Sequence, residues 1–195
     1  KNNKIKVNLI FHNDPNHLRG SESDNKKFFL LENCANLFFV SHFLKKVFFN
    51  RLTEKHNNNC SVIYNAVKKI KKFPKKKNII IFSGKLNSLK GYNIFGEAII
   101  DILNRYPNWK AYVFGNEPRE KFNFKHKNLF IKDWIGHGQL LKFYEACSIS
   151  VVNPTWEEPF GRTAMESASR GCAVITSISG GLQETFNNNL ILKKN

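Results

Sequence analysis

The sequence predicts an open α/β fold built on parallel sheet. Apolar runs such as "NIIIFSG" and "CAVITS" are continuous, where a half-exposed strand would alternate. Their sheet is therefore covered on both faces, as parallel sheets are. Stretches with helical spacing lie between the runs, and the two kinds alternate along the chain, which is the pattern of α/β layers. One segment interrupts the rhythm. "AVKKIKKFPKKK", Ala66 to Lys77, is Lys-rich and holds a Pro. It reads as an interdomain linker or as a solvated loop within one domain.

Three strands are expected before this segment, at "IKVNLIF", "NLFFV" and "SVIYN". Five follow it, at "NIIIFSG", "KAYVFG", "NLFIKD", "SISVVN" and "CAVITS". The clearest helix is "GYNIFGEAIIDILNRYP". There Phe95, Ala98, Ile99, Ile102, Leu103 and Tyr106 form one apolar stripe, and Pro107 ends it. Further helices fit Lys26–Cys34, Ser41–Arg51, Gly138–Ala146, Phe160–Arg170 and Gly181–Phe186.

A chain of 195 residues can bury a substantial core. It starts at Lys1 and stops in the apolar run "NNNLILKKN", so a piece of a longer protein is expected. No apolar run reaches the roughly 18 residues of a membrane span. Lys and Arg number 31 against 15 Asp and Glu, for a formal charge of +16. Such a charge favours an anionic partner: nucleic acid, acidic lipid or phosphate. The excess is mostly Lys, is spread along the chain and travels with Asn, Ile and Phe, so nucleic acid is not the expected partner. Cys34, Cys60, Cys147 and Cys172 are widely spaced and form no C-x-x-C pair. Cys147 and Cys172 open apolar strands, where Cys acts as a small hydrophobe. Neither a zinc site nor a disulfide framework is expected, and a reducing compartment fits.

In open parallel sheets, ligands bind beyond the carboxyl ends of the strands. Three unusual segments fall there. In "FSGKLNSLKGYN", Gly84 permits a tight turn, and Lys85 and Lys90 flank it before a helix. It is neither a P-loop nor a G-x-G-x-x-G fingerprint. Two ammonium groups on one loop can clamp a diphosphate, or they are two surface lysines of a Lys-rich chain. In "TWEEPFGRTAMESASRG", Pro159 suits a helix start. Backbone N–H groups near Phe160, Gly161 and Arg162 would then face an anion. Glu158 precedes that helix and Glu166 lies about two turns inside it; alternatively Glu166 is merely exposed on its flank. In "SISGGLQET", Gly180 and Gly181 open another helix and a second candidate anion site.

These segments resemble the retaining glycosyltransferases of family 4, which have the GT-B fold. "TWEEPFGRTAMESASRG" is similar to that family's motif of two Glu separated by seven residues. "FSGKLNSLKG" looks like its Gly-Arg/Lys…Lys-Gly loop. "VIYNAV" looks like the strand before its domain linker, and "FVSHFLKKVF" is a similar strand-to-helix turn. The matches run in family order over residues 1–186. The acidic motif is specific, and the closest flavour is that of bacterial enzymes building lipopolysaccharide or other surface glycans.

The resemblance implies two Rossmann-like domains. Residues 1–66 would be the last part of the acceptor-side N-terminal domain. Residues 67–77 would be the linker, and 78–195 most of the nucleotide-sugar donor domain. It implies transfer of a glycosyl group, hexosyl or related, from a nucleotide diphosphate sugar to a hydroxyl of a glycan or glycolipid, with retention and without a metal. Lys85 and Lys90, with Gly84 at their turn, would neutralise the diphosphate. Glu158 would hold the sugar hydroxyls, and amides around Phe160 and Gly161 the sugar and phosphate. Glu166 would take the ribose diol, and Gly180 and Gly181 would close the sugar pocket. "HNDP" is similar to the family's His-x-x-Pro region and would present His12 to the donor sugar; a turn histidine is the alternative. Where the family often has Arg, Lys85 offers a point charge in place of a planar fork. No carboxylate nucleophile is assigned. The nucleotide sugar is a co-substrate, and no cofactor is expected. The enzyme would be cytoplasmic, with peripheral contact to an anionic inner membrane face a further expectation. The rivals are a nucleotide-sugar epimerase on the same architecture and a basic nucleic-acid-binding module.

Overall fold

The computed structural model describes residues 6–52, 59–68, 70–72, 74–185 and 190–192. Ile5, Lys69, Phe73 and Phe186, which fall in segments assigned from sequence, lie outside the described residues. The chain forms two compact units, Lys1–Ala66 and Val67–Asn195.

The first unit is a parallel sheet of β1 (Asn8–Phe11), β2 (Asn36–Phe39) and β3 (Cys60–Val62), in that order. α1 (Asp24–Asn33) and α2 (His42–Phe49) connect them. Each helix starts on a serine. Ser23 Oγ accepts from Lys26 N and Ser41 Oγ from Leu44 N, satisfying amides that have no partner in the first turn. Phe11 and Phe39 stack at 5.1 Å, with Phe48 edge-on to Phe39. Phe11, Phe39 and Phe48 are buried core residues, whereas Phe29 on α1 is exposed.

The second unit is a six-stranded sheet. β4 (Lys77–Ser83), β5 (Lys110–Phe114), β6 (Leu129–Lys132), β7 (Cys147–Val152), β8 (Ala173–Ser177) and β9 (Leu190–Leu192) lie in the order β6-β5-β4-β7-β8-β9. Every pairing is parallel. α3 (Tyr92–Arg105) packs on one face with Ile80, Phe82, Ala111 and Val113. α4 (His137–Ala146) and α5 (Arg162–Ser169) pack on the other with Ile79, Ile81, Phe114 and Val174. β4 therefore alternates between two cores, which is why it must be apolar at every position from Ile79 to Phe82. Burial pushes the Cys147 and Cys172 thiols up to about 12 and about 11, so they pack as small hydrophobes.

Three local expectations need correction. The stripe of α3 is narrower than its spacing suggests. Phe95, Ile99 and Leu103 are buried, but Ala98 and Tyr106 are exposed, because α3 covers β4 and β5 and its outer edge flanks an apolar groove beside Ile149 and Ile175. α5 begins at Arg162, not Phe160, because Gly161 turns the chain at φ +102°. The segment expected as a helix at Gly181–Phe186 is a 3-10 turn over Gly180–Glu184.

Candidate functional site

The strand order places the site. From β4 the chain runs out to β5 and β6, then returns to β7 on the other side of β4. The crevice between the carboxyl ends of β4 and β7 is a topological switch point, where α/β sheets hold ligands. Both the Lys85–Lys90 loop and the Glu158 segment leave the sheet at this crevice.

The two loops are fastened together. After β4, the Asn87 side chain accepts from Lys90 N at 2.9 Å and caps the 3-10 turn Ser88–Lys90. Gly91 follows at φ +74°. A Cβ there would lie 2.0 Å from the Asn153 carbonyl oxygen, so only glycine permits this approach of the two loops. Asn153 Nδ2 donates to Gly91 O at 3.0 Å, and Thr155 N and Oγ1 donate to Leu89 O and Ser88 O, each at 2.9 Å. Glu120 braces the turn from the β5 side by accepting from Ser88 N and Oγ.

This framework brings Lys90 to Glu158. Lys90 Nζ donates to Glu158 Oε2 at 2.7 Å, and the two side chains are 30% and 17% exposed. The Trp156 ring lies 4.8 Å from the same ammonium, adding a cation–π contact. Lys90, Glu158, Ser83, Gly84, Gly161 and Thr163 line one small cleft of about 50 Å³. The start of α5, capped by Gly161, presents first-turn amides and a partial positive charge to this cleft. The expected Glu158 and Lys90 are thus neighbours. Phe160 is buried beneath the turn. The backbone of Glu158 is fixed from β8: Gly181 N donates to Glu158 O at 2.7 Å, and Ser179 Oγ donates to Trp156 O. Gly181's amide, proposed from sequence as an anion donor, is therefore engaged in bracing the acidic loop. Gly180 adopts φ +54° with a Cβ direction blocked by Glu158 O at 2.5 Å.

Lys85 stands apart from this pair. It is exposed, and its charge contributes to holding down the carboxyl of Glu117. Arg119 dominates that effect. It forks Glu117 through Nε and a terminal nitrogen at 2.7 and 2.8 Å, bringing the Glu117 pKa down to about 2.

Glu166 is buried at 7% exposure, which overturns the reading of an exposed flank residue. It lies four residues past Arg162, about one helical turn into α5 in place of the two expected. Arg162 donates to Glu166 Oε1 at 3.2 Å, and His137 Nε2, from the start of α4, sits 3.2 Å from the same oxygen. Tyr144, wholly buried behind them, shares a hydrogen bond with Ser83 Oγ; burial is the main cause that raises its pKa, and the Glu166 charge adds to it. The side chains of His137, Arg162 and Trp156 and the Tyr144–Ser83 bond received no role from sequence. Arg162 is legible as the i, i+4 partner of Glu166, whereas His137 is 29 residues away and meets Glu166 only through the packing of α4 on α5.

His12 belongs to the first unit. It is exposed and immediately follows β1. Asp14 Oδ1 accepts from Asn16 N at 2.8 Å and caps the turn Pro15–His17, so the chain after His12 is fixed.

Residues 64–194 match the family model described as "Glycosyl transferases group 1". The chain is similar to spore coat protein SA of Bacillus subtilis, with 29% identity over 123 residues, or 56% of this chain and 33% of that protein. It is also similar to the uncharacterized glycosyltransferase MJ1607 of Methanocaldococcus jannaschii, at 30% over 114 residues, or 54% of this chain and 28% of that protein. It thus spans about a third of the length of these curated relatives. Among solved structures, Anabaena Alr3699/HepE in complex with UDP-glucose superposes with a TM-score of 0.73 at 15% identity, covering 96% of this chain and 58% of that one. The fold is that of part of a GT-B glycosyltransferase.

Proposed function

The chain belongs to the glycosyl transferases group 1 family, and on that premise we propose that its second unit binds the donor of a glycosyl transfer. The donor is a nucleotide diphosphate sugar. The group transferred is a hexosyl or related unit, the acceptor is a hydroxyl of a glycan or glycolipid, and the anomeric configuration is retained. Assembly of a bacterial surface glycan such as lipopolysaccharide is the process that fits, with the enzyme in the cytoplasm and at the inner membrane face. The observation that carries this reading is the convergence of Lys90, Glu158 and the α5 start in one cleft at the switch point, with Glu166 a turn further along α5.

The chemistry follows from charge. The bond from the anomeric carbon to the diphosphate breaks, a bond from that carbon to the acceptor oxygen forms, and the acceptor hydroxyl's proton passes to the leaving diphosphate oxygen or to water. Negative charge grows on the leaving diphosphate. Lys90, Lys85 and the first amides of α5 stabilise it. Glu158 orients the sugar through its hydroxyls, and Glu166 accepts from the ribose diol. The first unit contributes the acceptor side, with His12 presented to the donor sugar and the segment 67–77 as the linker. Gly84 permits the turn that carries Lys85. An epimerase would share the phosphate grip, but the family match favours transfer.

The test is ligand-induced thermal shift and calorimetry with UDP, GDP and ADP and their glucose conjugates. A ligand at about 100 times its Kd adds roughly 2.7 kcal/mol to stability. Replacing Lys85 and Lys90 together by Ala should weaken the diphosphate that binds by about 1.5–3 kcal/mol per lost charged bond, and the matching nucleoside far less. No shift with any of these ligands, or equal losses for nucleoside and diphosphate, would refute the donor-site assignment.

A further inference from the structure

Glu158 occupies an awkward place for a residue of a phosphate-binding cleft. Its carboxylate sits against Lys90, the ammonium aimed into that cleft, at 2.7 Å. Its backbone cannot easily withdraw. Gly181 N holds its carbonyl at 2.7 Å, and Pro159 follows it. Trp156, whose own carbonyl is bonded by Ser179, covers the Lys90 ammonium. A bare diphosphate entering the cleft would therefore meet a carboxylate already paired with the ammonium that lines it, and would have to compete for that cation.

A diphosphate that still carries its sugar meets a different site. Sugar hydroxyls donate hydrogen bonds, so they can replace the ammonium as partners of the carboxylate. Among the described residues, Glu158 Oε1 takes no hydrogen bond beyond the pair on Oε2, so the carboxylate has acceptor capacity to spare. We infer that Glu158 is a specificity-determining residue that acts against the bare diphosphate. By holding Lys90, it makes the cleft favour the sugar-bearing donor over the diphosphate product. The inference rests on the donor-site reading above, and goes beyond it in giving Glu158 a repulsive role as well as an attractive one.

The pair is partly exposed, so its removal is expected to change affinity by roughly three- to tenfold. Inorganic pyrophosphate is the probe, because it carries neither base nor sugar. Calorimetry is run on the wild type, Glu158→Gln, Lys90→Ala, the double variant and Glu157→Gln. Glu157 is the exposed neighbour and controls for net charge. Glu158→Gln should tighten pyrophosphate about three- to tenfold, Lys90→Ala should weaken it, and the double variant should bind more weakly than Glu158→Gln. Should Glu158→Gln fail to fold, Glu158→Asp withdraws the carboxylate by one methylene and carries the same test with a smaller gain. If Lys90→Ala weakens binding while Glu158→Gln does not tighten it, or Glu157→Gln tightens it equally, the discrimination is overturned and the donor site stands. If pyrophosphate does not bind the wild type and Glu158→Gln does not restore it, both readings fall.

Discussion

Glu158 and Glu166 stand eight residues apart on one segment, and the fold treats them differently. Glu158 sits in the loop before α5, with one cation reaching across from the neighbouring β4 loop and an aromatic ring over that cation. Glu166 sits inside α5, more deeply buried, with Arg162 one turn earlier and His137 from the neighbouring α4, both on Oε1. Glu158's partner belongs to the proposed phosphate grip and is in demand when ligand arrives. Glu166's partners are mostly exposed side chains, at 66% and 59%, and play no part in that grip. A carboxylate whose cation is shared with the ligand is a competitor as well as a contact. One whose partners are its own is a fixed acceptor.

The strongest test of this contrast is Glu166→Gln. It removes a buried charged acceptor, and should lower affinity for the nucleoside diphosphate by about 1.5–3 kcal/mol, roughly ten- to a hundredfold. The loss should be as large for the nucleoside alone, measured by calorimetry. A loss seen with the diphosphate but not with the nucleoside would move Glu166 from the ribose to the phosphates. Glu158→Gln comes next. Steady-state transfer by the protein should fall about tenfold, the size of one charged hydrogen bond made in the transition state. Nucleoside diphosphate binding should not weaken in the same variant. Parallel losses in binding and transfer would erase the difference between the two carboxylates. The smallest effect is expected from Arg162→Ala. Its side chain is 66% exposed, so the pair with Glu166 is screened and worth about 0.2–1 kcal/mol, and diphosphate affinity should change less than about fivefold. A loss as large as that of Glu166→Gln would show that Arg162 itself touches the ligand.

The strands were legible because their chemistry is local. A parallel strand between two helix layers is apolar at successive positions, and "NIIIF" and "CAVI" declare that whatever their neighbours are. The helix phases were legible from periodicity, less so their ends. Gly161 displaced the start of α5 by a turn of the backbone that no spacing reports. The two lysines could be named from sequence as groups suited to a diphosphate, whereas a sugar role for the acidic motif was implied only by the family resemblance. Sequence could not say which lysine meets which acid. Lys90 and Glu158 are 68 positions apart, and their contact depends on β7 returning beside β4, on Gly91 allowing Asn153 to approach, and on Gly181 tethering the acidic loop. Lys85, on the same loop as Lys90, was its equal in sequence but is exposed in the structure and adds only its charge to the field that holds Glu117 ionised. Residue types and local periodicity set the inventory of charges. The long-range strand order and a few close backbone approaches determined which of those charges face each other, because Coulomb and hydrogen-bond energies depend on separation in space.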